Sequence, residues 1–317
     1  MFYWTNSSNH VGCGCQDQDK HHVTAKANVD IAIVVKPNEQ TNTAKGYLLL
    51  VIALSSPDGK ARRDTIRQTW YSESQLHQDV LLKFVIGTMS MAKDKLTEII
   101  KENDNHQDLL LLDNLVDSFA NLTRKVLYSY IWAGNNVQFS YLLKCDDDTF
   151  VVLKTLLDEL RGRTSHRMYC WGFFDGRASV KRAGKYRESE WYLCDKYLPY
   201  ALGGGYVLSA DLVKLIALNS DHLKLYVNED VSVGAWLAPY NIERNHDVRF
   251  DTEYQSRGCN NAYIVTHKQT TQMMLEKHKT LKEAGKLCQR EVQYKPSYIY
   301  NWDSQPSECC RRQAGIP

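Results

Sequence analysis

Three consecutive carboxylates, Asp146, Asp147 and Asp148, close a mostly apolar run that begins at Phe139. Adjacent like charges repel, and a divalent cation is one reason to keep them together. Hard oxygen ligands from Asp146 and Asp148 suit Mg2+ or Mn2+ and leave positions for a diphosphate. Two other readings fail on spacing. An EF-hand loop starting at Asp146 needs glycine sixth and glutamate twelfth, where the chain has Val151 and Leu157. A phosphatase of the aspartyl-phosphate kind places Thr or Val where this chain has Phe150. A solvated acidic turn and a nucleotide-sugar site remain; in the second, a bound cation neutralises the departing nucleotide.

Four further stretches could serve such a site. Arg62-Arg63-Asp64-Thr65-Ile66-Arg67-Gln68-Thr69-Trp70 places Arg63, Arg67 and Trp70 on one helical face, and arginines near a helix start favour phosphate. Arg62 and Arg67 are the expected donor contacts. In Asp117-Ser118-Phe119-Ala120-Asn121-Leu122-Thr123-Arg124-Lys125, Asp117 could meet a base or ribose edge and Lys125 a phosphate; alone, the stretch is a capped helix. In Asn228-Glu229-Asp230-Val231 an acid at a helix start is ordinarily a cap; the functional reading makes Asp230 a general base that deprotonates an acceptor hydroxyl. His267, just after a short apolar run, is the candidate third metal ligand, with His246 as the fallback.

The elements that must position these groups alternate. Tyr47–Leu54, Leu81–Gly87, Asp108–Leu112 and Phe139–Lys144 read as buried strands. Lys60–Tyr71, Ala92–Asn103 and Ser118–Trp132 read as the intervening helices, the last stopped by Gly134-Asn135. Strands alternating with helices give a mostly parallel α/β sheet whose ligands gather at the strands' carboxyl ends. No G-x-G-x-x-G follows the first strand, which disfavours an ordinary dinucleotide fold. Further on, Leu153–Arg161 reads as a helix and Met168–Phe174 as a strand. A polar loop spans Asp175 to Glu190, and Leu198 to Gly205 is a glycine-rich passage. Ala210–Leu218 is a helix capped by Ser209, a helix opens at Asn228, Tyr263–Thr266 is a short strand and Gln269–Ala284 a helix closed by Gly285. The last thirty residues read as irregular.

Residues 1–45 read as a polar stem or tail, and 46–317 as a single domain. The 317 residues carry a net charge of +2, which argues against a nucleic-acid scaffold. Nine cysteines without a CxxC pair fit an oxidising lumen, and the odd number leaves one outside intrachain disulfides. Two sequons occur, at Asn6 and Asn121; the second falls in a helix and reads as an unmodified asparagine. The longest apolar run, Tyr47 to Leu54, is eight residues, whereas a membrane span needs about twenty.

Five motifs occur in order: R-R-x-x-I-R-x-T-W, D-x-x-x-N-L-T-x-K, D-D-D, G-G-G-Y-V-L-S and E-D-V-x-x-G. Together they resemble the β-1,3-glycosyltransferase family of the Golgi. Tyr169-Cys170-Trp171-Gly172-Phe173-Phe174, the stretch from Leu198 to Gly205, the run from Phe250 to Gly258 and the segment from Cys309 to Pro317 resemble the branch that builds the proteoglycan linkage region. The resemblance implies a GT-A fold, a Rossmann-like sheet flanked by helices, with Mn2+ as cofactor and UDP-galactose as donor. The implied acceptor is galactosyl-xylose on a core-protein serine, extended by a β-1,3 bond with inversion. By position it carries Asp146 and Asp148, with His267, to the metal, Asp230 to the base, Asp147 to the donor, and Trp171, Gly204, Gly205 and Glu229 to the acceptor. It also implies residence on the lumenal side of the Golgi and a membrane anchor, for which this sequence has no segment. The alternatives are a different acceptor, UDP-N-acetylglucosamine as donor, or a non-catalytic chaperone on the same fold.

Overall fold

A computed structural model describes residues 46–72 and 78–317. The stem at 1–45, with the Asn6 sequon, Cys13 and Cys15, lies outside the described residues. The strands are Tyr47–Leu54 (β1), Val80–Gly87 (β2), Leu109–Leu112 (β3), Phe139–Asp146 (β4), Phe150–Val151 (β5), Tyr169–Asp175 (β6), Tyr200–Ser209 (β7), Glu243–His246 (β8), Phe250–Asp251 (β9), Gly258–Cys259 (β10), Val265–Thr266 (β11) and Val292–Gln293 (β12). The helices are Lys60–Gln68 (α1), Lys93–His106 (α2), Leu122–Asn136 (α3), Leu153–Arg161 (α4), Ala210–Leu218 (α5), Glu229–Leu237 (α6) and Thr271–Ala284 (α7).

Seven strands form one sheet in the order β3-β2-β1-β4-β7-β6-β8. The first four are parallel, β7 runs antiparallel to both β4 and β6, and β8 returns parallel to β6. This is the expected Rossmann-like, mostly parallel sheet flanked by helices. Its centre is buried on both faces, so β1 and β4 read as continuous apolar runs rather than alternating ones.

Two small sheets accompany the large one. β5 pairs antiparallel with β11, which runs parallel to β9, so the residues just outside β5 and β11 become neighbours. β10 pairs with β12, and a disulfide joins Cys259 to Cys288; another joins Cys309 to Cys310. The last thirty residues therefore hold a strand. Among the described residues no helix is long and apolar enough to cross a membrane.

Several expectations are corrected. The glycine-rich passage, given no element from sequence, enters a ten-residue strand, Tyr200–Ser209, threaded between β4 and β6. Gly134-Asn135 does not stop α3, which runs to Asn136; a Cβ at Gly134 would touch Ala217 of α5 at 3.4 Å, so the glycine admits close helix packing. Ser209 takes the expected N-cap position of α5, but its side chain makes no cap hydrogen bond: its hydroxyl donates to Asp211 Oδ1 at 2.5 Å and accepts from the Tyr169 amide at 2.9 Å.

Candidate active site

β4 delivers the acid triplet at its carboxyl end, and the turn is fixed from three sides. The Asp147 amide donates to Leu54 O at 3.1 Å, at the end of β1. Trp70 Nε1 donates to Thr149 O at 3.1 Å, and Thr149 Oγ1 donates to Gly204 O at 2.7 Å. The β5–β11 pairing then sets His267 against the turn, with its amide on Asp251 O at 2.9 Å and the Gln269 amide on Asp148 O at 2.8 Å.

Asp146, Asp148 and His267 each aim one ligand atom at a common point, all within 4.8 Å of one another. His267 Nε2 is 2.9 Å from Asp148 Oδ1 and 3.2 Å from Asp146 Oδ2. These close approaches lack hydrogen-bond geometry, so Asp148 Oδ1 and both ring nitrogens of His267 are buried without a hydrogen bond. Buried polar atoms are ordinarily satisfied, and two carboxylates with an imidazole form a donor set suited to a divalent cation such as Mn2+. These residues fit the expected metal. His246 is not among them: its ring stacks on Tyr298 and its Nδ1 accepts from the Phe174 amide at 3.0 Å.

One buried cation stands behind this cluster. Lys144 Nζ, fully enclosed, donates to Asp146 Oδ1 at 3.0 Å, Gly203 O at 2.5 Å and Glu229 Oε1 at 2.6 Å. Burial works against ionising Asp146, but the Lys144 ammonium and the His267 ring hold its carboxyl well below the usual range. A lone lysine inside an apolar strand has no sequence pattern to announce it, and sequence reasoning missed it.

Asp230 begins the second turn face of the site. Its Oδ2 accepts from the Gly203 amide at 3.0 Å and its Oδ1 from its neighbour Val231 at 2.8 Å. Burial, and then the charge of Glu229, push its carboxyl up to about 7 against the opposing pull of Lys144. Successive residues of β7 thus serve both halves of the site. Gly203 binds Asp230, while a Cβ at Gly203 would overlap Glu229 Oε1 and one at Gly204 would overlap the His267 ring. A Cβ at Gly205 would fall 2.7 Å from Val265 Cγ1. The triple glycine is a requirement of close approach, not of turn formation.

The donor-side residues separate. Arg62 is half exposed and its Nη1 donates to Asp147 Oδ1 at 2.9 Å; Ser55 Oγ donates to Asp147 Oδ2 at 2.7 Å. Asp117 accepts from the Gly87 amide at 2.9 Å and from Lys125 Nζ at 2.7 Å, and Lys125 also donates to Ser55 O. Arg67 is not brought to the site. Arg63 and Arg67 do share a face of α1, but it is the buried one: both pair with Glu102, and Arg67 also with Asp64 and Asp108; Trp70 lies past the helix end at Gln68. Trp171 is likewise absent. Its ring packs on Phe250 in the core and its Nε1 donates to Asp247 at 2.9 Å. Glu229 is buried against Lys144 beside Asp230. At the expected unmodified sequon, Asn121 Nδ2 donates to Val116 O at 3.0 Å and Thr123 Oγ1 to Tyr226 O at 2.7 Å.

The galactosyltransferase family model matches residues 61–248. Beta-1,3-galactosyltransferase 6 of Mus musculus is 48% identical over 278 residues, covering 86% of this chain and 85% of its own. UDP-GalNAc:beta-1,3-N-acetylgalactosaminyltransferase 2 of Danio rerio is 39% identical over 148 residues, 46% of this chain and 30% of its own. Probable beta-1,3-galactosyltransferase 4 of Arabidopsis thaliana is 30% identical over 238 residues, 70% of this chain and 58% of its own. The chain is a glycosyltransferase and belongs to the galactosyltransferase family.

Proposed function

We propose that this chain is an inverting β-1,3-galactosyltransferase of the Golgi lumen, moving galactose from UDP-galactose to the galactosyl-xylose linker of proteoglycan core proteins. The observation that carries the mechanism is the sharing of β7: Gly203 contacts the base candidate while Gly204 contacts His267. Asp146, Asp148 and His267 would hold Mn2+. A bound divalent cation supplies Lewis-acid neutralisation of the diphosphate leaving group. Arg62, Asp147, Asp117 and Lys125 line the donor side. Asp230 takes the proton from the acceptor 3-hydroxyl as that oxygen attacks the anomeric carbon from the face opposite the nucleotide, which inverts the centre. The Gly203 and Val231 amides orient its carboxylate, and Glu229, held by Lys144, fixes the start of α6 beside it. The galactosyl group and the β-1,3 linkage rest on the 48% identity to a protein named for β-1,3-galactosyl transfer, and the acceptor on the sequence resemblance to the linkage-region branch.

The test offers the purified chain UDP-galactose or UDP-N-acetylglucosamine with a panel of sugar acceptors, with and without Mn2+. Metal-dependent galactose transfer to galactosyl-xylose, giving a β-1,3 linkage by NMR, is the expected result. Transfer of N-acetylglucosamine instead, or of galactose only to other acceptors, overturns the assignment.

A further inference from the structure

The sequence offers several cations for the phosphate end of the site, and three of them already hold partners at hydrogen-bond distance. Arg67 is spent on Asp64, Glu102 and Asp108. Lys125 is buried on Asp117 and the Ser55 carbonyl. Arg62 is bonded to Asp147. Lys268 differs from all three. It follows His267 directly, its side chain is 44% exposed, and its Nζ lies 3.7 Å from Asp148 Oδ2, longer than a hydrogen bond.

Its backbone is also unusual. Lys268 has φ +61°, in the left-handed region that a Cβ disfavours. The residues on both sides are pinned: the His267 amide is on Asp251 O and the Gln269 amide on Asp148 O. The chain therefore holds an unfavourable conformation at this one residue, between two fixed hydrogen bonds, with the side chain at the carboxylate rim. Backbone strain beside a functional site is a reason to ask what the residue does there. An ammonium has three donors, and Asp148 at this distance leaves them for a second anion.

We propose that Lys268 contacts the diphosphate of the nucleotide-sugar donor, at the edge of the site formed by Asp146, Asp148 and His267. The inference rests on the reading of this chain as a nucleotide-sugar transferase. Lysine binds phosphate as a point charge, and one placed here would meet the leaving group as its negative charge grows.

The experiment measures UDP and uridine binding by calorimetry, at one fixed Mn2+ concentration, for wild type, Lys268→Met, Lys268→Gly and Lys268→Arg. A charge-assisted hydrogen bond corresponds to a loss of about 10- to 100-fold in UDP affinity in the Met and Gly variants. Uridine affinity should not move, and Arg should keep most of the UDP affinity. The Gly variant separates side chain from backbone, since it relieves the left-handed conformation while removing the amine. UDP affinity within about twofold of wild type in Lys268→Met overturns the inference. So do equal losses for UDP and uridine, which would mean the residue only shapes the site. A wild type that binds UDP no better than uridine sinks the donor reading, and this inference with it.

Discussion

Lys144 Nζ lies 2.6 Å from Glu229 Oε1, and both groups are withdrawn from water. The same ammonium reaches Asp146 Oδ1 at 3.0 Å, so one buried cation spans the metal-site carboxylates and the helix start that carries Asp230. Removing one member of a buried ion pair strands the other, at a cost of about 3–5 kcal/mol. Lys144→Met alone is therefore expected to lower the unfolding free energy by that order. Lys144→Met with Glu229→Gln leaves no stranded carboxylate at 229 and should recover most of it. Urea unfolding of the four proteins gives the coupling directly. Additive losses, with no recovery in the double variant, would mean that the two side chains are not energetically paired.

The proposed base, Asp230, has its own expected pH signature. Burial and Glu229 raise the Asp230 carboxyl to about 7, from an ordinary 3.8. The base form is the deprotonated one, so kcat/KM should rise with pH up to about 7 and level off above it. Glu229→Gln removes one of the raising charges and should move that limb to lower pH. Stability runs the other way. Between the unfolded value of 3.8 and the folded value of about 7 the native state binds the extra proton, so stability is full below that window and is lost as pH rises through it. Asp230→Asn cannot titrate, and should abolish transfer while losing this part of the pH dependence of stability. A rate limb that stays at the same pH in Glu229→Gln, or an Asn variant that keeps wild-type turnover, rules Asp230 out as the base.

The residues that the sequence made legible share a physical feature, and so do those it hid. β1 and β4 are buried on both faces, so their apolar runs announce strands regardless of tertiary detail. Asp146 and Asp148 stand out because clustered charge after such a run needs a reason. His267 was found by position, one residue past a short strand. Arg67 misled because helical periodicity reports which residues share a face, not which way it points; its partners Glu102 and Asp108 lie 35 and 41 residues away. Trp171 misled because an aromatic ring suits a sugar and a core equally. Gly203, Gly204 and Gly205 suggested no element because local propensity knows nothing of the His267, Glu229 and Val265 side chains that occupy their Cβ positions.

That last contact can be tested on the metal site itself. A Cβ on Gly204 would fall 2.8 Å from the His267 Cβ and overlap its ring, and the strand cannot retreat because Gly204 O is held by Thr149 Oγ1 at 2.7 Å. Gly204→Ala should therefore displace the imidazole and weaken Mn2+ binding by about 10- to 100-fold, the usual penalty for losing a ligand's support. His267→Ala should weaken it at least as much. Because a ligand at 100 times its Kd stabilises the native state by about 2.7 kcal/mol, the thermal shift on adding Mn2+ reports the loss without an activity assay. Gly285→Ala is the control: it has φ +65°, open space around it, and a place at the far end of α7. There the left-handed backbone costs about 1–2 kcal/mol, so the baseline Tm should fall while the Mn2+ increment stays whole. A Gly204→Ala protein with the full wild-type increment would show that the His267 ring is not seated by this strand as a ligand, whatever its distance from Asp148.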